Sequence, residues 1–170
     1  GMFSNIAHAV KIALNFNISK KVIVKTLPKL SFPGRFNYLK KGRIKKMLHK
    51  NELIMIDGAH SPYDAKNLYN YLKTIKLPKY GIWAMTKNKE PDLFIKEFNN
   101  IFKKIITLQI KNENSSVSAK ELNKIAIKNK INSETSSSLE EAIRKVSSNE
   151  KKLVVCFGSL YFCGSILNKN

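Results

Sequence analysis

From residue 52 onward, short apolar runs alternate with stretches in which apolar residues recur every three or four positions. Leu53-Ile54-Met55-Ile56 is the first run, set between Glu52 and Asp57. Gly81 to Met85, Ile105 to Ile110 and Lys152 to Phe157 follow. Runs of this length predict strands, and their continuous apolar character predicts a sheet covered on both faces. Between them, Ala65, Leu68, Tyr69, Leu72 and Ile75 share one helical stripe, and Leu93, Phe94, Glu97 and Phe98 keep helix spacing. Ser61, Ser118 and Ser138 each precede an acidic residue by three positions, at Asp64, Glu121 and Glu141. That spacing marks helix starts, with Pro62 at a first helical position where its missing N–H costs nothing. A connection near Ile131 leaves room for one more short strand, and a final helix carries Leu160, Tyr161, Cys163, Gly164 and Leu167.

The first thirty residues have a different texture. Ile6, Ala9, Val10, Ala13 and Leu14 fall on one helical face, Asn15 to Ile18 breaks it, and Ser19 caps a second helix to about Leu27. This pair has too little apolar surface to fold alone, so it reads as the tail of something larger or a flap on the main domain. Pro28 to Pro33 is linker-like, Arg35 to Leu39 alternates like a half-buried strand, and Lys40 to Arg43 is a turn. The predicted organisation is a helical segment over residues 1–30 and one α/β domain over 31–170. The domain is an open, mainly parallel Rossmann-like sheet with helices on both faces.

Composition narrows the class. A chain of 170 residues with 43% hydrophobic content is neither disordered nor too small for a real core. It has no run of about 18 apolar residues and no basic-then-apolar signal peptide, and Gly1 before Met2 reads as the scar of a removed tag. Cys156 and Cys163 lack zinc spacing to any partner and read as buried thiols, which fits a cytoplasmic protein. The net charge of +19 raises nucleic acid as a partner, but only Arg35, Arg43 and Arg144 among the 31 basic residues are arginines. The lysines are scattered amid abundant Asn and Ile, without the bidentate arginines that nucleic-acid readers use. A lysine-rich solvated surface is the better reading; neither nucleic acid nor membrane is an expected partner.

Chemistry then concentrates at the strand ends. In a parallel sheet the carboxyl ends of strands face one way, so Asp57 to Pro62, Thr86 to Pro91 and Gly158-Ser159 should share one edge. That edge would hold a carboxylate, an imidazole, lysines, hydroxyls and helix N-termini, which suit a nucleotide or a small carboxylate. Asp57 is placed to accept from ribose hydroxyls, as an acid at a strand end does in dinucleotide folds. The chain has no G-x-x-x-x-G-K-[ST] phosphate loop, no G-x-G-x-x-G and no G-x-S-x-G. On the residues alone this is an accessory ligand-binding domain rather than a complete enzyme.

Four segments carry a family likeness. Asp57-Gly58-Ala59-His60-Ser61-Pro62 resembles the D-G-A-H-N-P signature of folylpolyglutamate synthases and bifunctional dihydrofolate synthases, with Ser61 in place of Asn. Phe32-Pro33-Gly34-Arg35-Phe36 resembles their W-P-G-R-L/F, and Ala84 to Glu90 their G-M-x-x-D-K-D, keeping Lys89. Gly158-Ser159-Leu160-Tyr161-Phe162-Cys163-Gly164 is close to G-S-L-Y-L-V-G, while the loop Asn112 to Ser115 lacks the arginine common after that strand. Residues 5–30 resemble the last helices of the family's central ATPase domain.

The resemblance implies membership of the Mur ligase superfamily and ATP-dependent amide formation. A carboxylate is activated as an acyl phosphate and the amine of L-glutamate attacks it, extending folate or dihydropteroate. It implies that Arg35 meets ATP phosphates, Asp57 the ribose, and His60 the phosphate or glutamate region, with His60 the catalytic candidate. Ser159 would lie near glutamate and Lys89 near the same edge. Mg2+ would be held mainly by the central domain, which is not in this chain. The expectation is a C-terminal ligase domain, inactive alone, working with N-terminal and central domains in trans. The rival expectation is a stand-alone, non-enzymatic nucleotide- or anion-binding module, or the remnant of a split gene.

Overall fold

The computed structural model describes residues 2–170, with side chains from residue 5 onward; Gly1, read above as a tag scar, lies outside them. The chain divides into two compact units between Pro33 and Gly34.

The first unit contains helix α1 (Met2–Asn15), helix α2 (Lys20–Thr26) and a 3-10 turn at Leu27–Lys29. Ser19 caps α2, its Oγ accepting the Val22 N–H at 3.4 Å. No residue of α2 is buried, and Ala9, Ala13, Ile23 and Leu27 line an apolar groove of about 230 Å³.

The second unit is built on six strands: β1 (Asn37–Tyr38), β2 (Leu53–Asp57), β3 (Lys79–Trp83), β4 (Lys104–Thr107), β5 (Ser133–Thr135) and β6 (Leu153–Phe157). Their spatial order is β1-β2-β6-β3-β4-β5. All neighbours are parallel except β1, which runs antiparallel along β2. The helices are α3 (Arg43–Lys46), α4 (Pro62–Lys73), α5 (Pro91–Lys96), α6 (Ala119–Lys128), α7 (Leu139–Val146) and α8 (Leu160–Lys169).

Successive strand residues point to opposite faces, which splits the core in two. Ile54, Ile56, Ile82, Ile106, Val154 and Cys156 pack with residues of α3, α7 and α8. Met55, Trp83, Ile105, Val155 and Phe157 pack with residues of α4, α5 and α6. Each fully buried Ile or Phe contributes roughly 1.5–3 kcal/mol relative to exposure, so neither face can be left uncovered. The expected open, mainly parallel sheet with helices on both sides is the observed one. Ser61, Ser118 and Ser138 each accept the N–H three residues on, so the three predicted caps are real. Both cysteines are buried and free, and burial pushes the Cys163 thiol up to about 12. Among the described residues no helix is long and apolar enough to cross a membrane.

Two elements differ from the sequence reading. The strand expected over Arg35 to Leu39 shrinks to Asn37–Tyr38 because Phe36 has φ +45 and turns the chain into a loop. Helix α3 was not foreseen, because its cap is remote. The Asn170 carbonyl accepts the Arg43 N–H at 2.9 Å, and the Asn170 side chain accepts the Ile44 N–H at 3.1 Å.

Candidate functional site

The strand order places β6 between β2 and β3, with Asp57 beside Phe157 and Phe157 beside Trp83. Three strand ends thus stand side by side, and each leads into a loop or helix that carries a candidate residue. Asp57 ends β2 and leads to His60 and Ser61. Ser159 follows β6, and Lys89 lies in a 3-10 turn, Lys87–Lys89, after β3.

Asp57 is 2% exposed. Its Oδ2 accepts the Phe36 N–H at 2.8 Å, and its Oδ1 accepts the Ala59 N–H at 2.8 Å. Arg35 Nη1 lies 3.8 Å from Oδ1. Burial pushes the Asp57 carboxyl above its usual range, and the two N–H donors and Arg35 oppose that push. A ligand hydroxyl would meet Asp57 only at the lone pairs these donors leave over. Arg35 itself is half-buried, with its guanidinium too far from Asp57 for a direct hydrogen bond.

The loop that carries Arg35 is pinned from several sides. The Gly58 N–H donates to the Gly34 carbonyl at 2.7 Å. Gly34 sits at φ +76, and the Phe36 ring tilts against Tyr71 of α4 at 4.6 Å between centroids. The Tyr71 hydroxyl in turn lies 3.1 Å from that of Tyr38. A left-handed Phe is costly, so these contacts hold Phe36 where local preference would not.

His60 Nδ1 lies 2.7 Å from the Gly58 carbonyl, which can only accept. That contact puts a proton on Nδ1 and leaves Nε2, in the neutral ring, as the acceptor. Asp64 lies 3.9 Å from the same Nδ1. Ser159 is buried, and its Oγ accepts the Tyr161 N–H at 3.1 Å as the cap of α8. The Lys89 ammonium makes no hydrogen bond or ion pair among the described residues. Gly158, at φ +109, passes so close to Trp83 that a Cβ would stand 2.6 Å from the indole ring.

The edge therefore offers a guanidinium, an imidazole, a free ammonium and the N-termini of α4 and α8, a donor set that fits a nucleotide phosphate. Among the described residues no group of three or more His, Cys, Asp or Glu could hold a metal ion. Phe36 and Tyr71 were not legible as site residues in the sequence, since contacts with Asp57, Gly58 and Tyr71, all remote along the chain, give the loop its shape.

A sequence family described as dihydrofolate synthetase, C-terminal domain, matches residues 40–169. That span holds Asp57, His60, Lys89 and Ser159 but begins after Arg35. No curated protein matches the chain. E. coli FolC, in complex with DHPP and ADP, is similar with a TM-score of 0.73 at 15% identity, over 88% of this chain and 34% of that one. The folylpolyglutamate synthase of Thermotoga maritima gives a TM-score of 0.70 at 24% identity, over 88% of this chain and 33% of that one. The bifunctional folylpolyglutamate synthase/dihydrofolate synthase of Yersinia pestis, with Mn, AMPPNP and L-glutamate bound, gives 0.72 at 20% identity, over 88% and 34%. At these identities the likeness establishes the fold. The chain spans about a third of the length of these solved proteins.

Proposed function

Because the chain belongs to the dihydrofolate synthetase C-terminal domain family, we propose that it forms one wall of an ATP-dependent folylpolyglutamate or dihydrofolate synthase. In this reading it contributes ATP and L-glutamate contacts and is inactive alone. The observation that carries the reading is the meeting of three adjacent parallel strand ends, at Asp57, Phe157 and Trp83, where the candidate residues gather.

ATP at this edge supplies the phosphoryl group that activates a carboxylate toward an amine. Arg35 takes phosphate oxygens, a task its forked donors suit better than lysine. Asp57 takes the ribose at its remaining lone pairs and keeps the Arg35 loop in place. His60 presents Nε2 toward the phosphate or glutamate region. Ser159 lies near the glutamate subsite by capping α8, and Lys89 adds a positive charge to the same edge. Mg2+ belongs to the central domain, whose last helices residues 1–30 represent. Folate or dihydropteroate and L-glutamate are the substrates, the family's N-terminal and central domains are the partners, and the setting is cytoplasmic.

The test is ligase activity of the purified 170-residue chain, alone and with N-terminal and central domains of a family relative supplied. The expected result is no ATP turnover alone and glutamate addition on reconstitution. Turnover by the isolated chain overturns its inactivity. Undiminished activity of a folded Asp57→Ala variant in the reconstituted system overturns the site.

A further inference from the structure

The end of the sheet opposite Asp57 carries a lobe of another chemistry. The Leu39 N–H donates to the Ile54 carbonyl at 3.0 Å, so β1 leaves the sheet where β2 begins, and residues 40–50 turn there through α3. The length of β2, about 13 Å from its first residue to its last, separates this lobe from the Asp57 edge. Along the chain the lysines are scattered, but here Lys40, Lys41, Arg43, Lys45, Lys46 and Lys50 fall in one short segment that holds no acid.

The backbone beneath these cations is fixed. The Asn170 carbonyl and side chain accept the Arg43 and Ile44 N–H groups at 2.9 and 3.1 Å, and its amide donates to the Lys41 carbonyl at 2.9 Å. Lys45 turns inward and donates to the His49 and Glu52 carbonyls at 3.2 and 2.6 Å. Ile44 and Leu48 are buried, and Met47 packs on the same core. Lys40, Lys41, Lys46 and Lys50 are exposed, and their ammonium groups make no hydrogen bond or ion pair among the described residues. Arg43 lies 4.0 Å from Glu140, which Lys169 holds more closely at 3.0 Å.

A protein partner exploits apolar anchors and a lipid surface rewards them; this lobe turns its apolar residues inward. Point charges on a fixed backbone suit a row of phosphates. Reading bases calls for arginine forks, of which the lobe has one, but holding a phosphate backbone calls only for positive charge. We propose that residues 40–50 bind the sugar-phosphate backbone of a nucleic acid duplex, without regard to its sequence. The inference does not rest on the ligase reading, and its test uses neither ATP nor turnover.

The experiment follows the fluorescence anisotropy of a labelled mixed-sequence DNA duplex titrated with the full chain, with phosphatidylserine vesicles as a second probe. With about four phosphates engaged, duplex affinity should fall on the order of 100-fold as salt rises from 50 to 200 mM. The double variant Lys40→Glu, Lys41→Glu should bind about tenfold more weakly or worse and flatten the logarithmic salt slope by about 2. The double variant Lys120→Glu, Lys124→Glu on α6 makes the same change in net charge and should bind as wild type. Both should keep the wild-type Tm, since none of the four ammonium groups has a partner among the described residues. Equal losses in the two variants would reduce the effect to net charge and overturn the site. Salt-independent affinity, or binding to the vesicles with none to the duplex, would overturn it as well.

Discussion

Asp57 accepts the Phe36 N–H at 2.8 Å across 21 residues of sequence and so holds a left-handed phenylalanine at the end of the Arg35 loop. The same carboxylate accepts the Ala59 N–H with its other oxygen. Asp57→Asn keeps the shape but replaces one acceptor by a donor, so one backbone N–H loses its partner in a buried place. The expected cost is about 1–3 kcal/mol, read as a lower urea midpoint. Hydrogen exchange should quicken at the Phe36 or the Ala59 amide. Unchanged protection of both would show that Asp57 does not hold the loop.

Two glycines of the edge separate cheap strain from costly strain. At Gly58 a Cβ would meet Leu160 Cδ2 at 2.3 Å, the free end of an exposed side chain that can swing away. Gly58→Ala should cost about 1 kcal/mol, and Leu160→Ala should restore it. At Gly158 the Cβ would stand 2.5 Å from the Ala84 carbonyl, on a backbone at φ +109. Steric overlap and left-handed strain together put Gly158→Ala at about 3 kcal/mol or more. Thermal unfolding of the three variants checks the order, and equal costs at both glycines would contradict it.

Much of this fold was legible because its signals are local. The apolar runs at Leu53, Gly81 and Leu153 needed no partner to be recognised, and Ser61, Ser118 and Ser138 declare their helices within one turn. The neighbour order is another matter. Leu53 pairs with Leu153, and nothing in either run says so. The same limit explains helix α3, whose first N–H groups are satisfied by Asn170 at the far end of the chain. At the site, Asp57, His60, Ser159 and Lys89 stood out as side chains at strand ends. Phe36 and Tyr71 did not, because Phe36 becomes a site residue only when a remote carboxylate holds its backbone, and Tyr71 only through its ring contact with Phe36.

The opposite end of the sheet carries a buried ion pair with its own pH signature. Glu52 and Lys152 are 0% and 1% exposed and 3.6 Å apart. Burial pushes the Glu52 carboxyl up, but donors from Ser147, Ser148 and His49 with Lys152 outweigh it, and the net direction is down. A carboxyl lowered on folding stabilises the fold above its unfolded value of 4.5, and that stability is lost as pH falls through the folded value. Glu52→Gln leaves Lys152 buried without its nearest counter-charge and should cost about 3 kcal/mol at neutral pH. The difference from wild type should shrink on acidification, because protonation neutralises Glu52 in the wild type as well. Urea midpoints near pH 7 and pH 3 measure it, and an equal difference at both would show that the charge of Glu52 is not what matters.

Arg35 gives the sharpest separation of ligand binding from stability. Its guanidinium is half-exposed and 3.8 Å from Asp57, too far for a strong bond and too open to water for the ion pair to contribute more than about 1 kcal/mol. Arg35→Lys keeps the positive charge and most of the stem, so the unfolding midpoint of the chain should hardly move. What it removes is the planar fork that meets two phosphate oxygens at once. In the reconstituted ligase the expected result is a KM for ATP raised about tenfold, the equivalent of about 1.4 kcal/mol, with kcat little changed. Arg35→Ala should raise KM further at a similar small cost in stability. A large loss of stability in Arg35→Lys, with the KM for ATP unchanged, would reassign Arg35 to holding the loop rather than the phosphates.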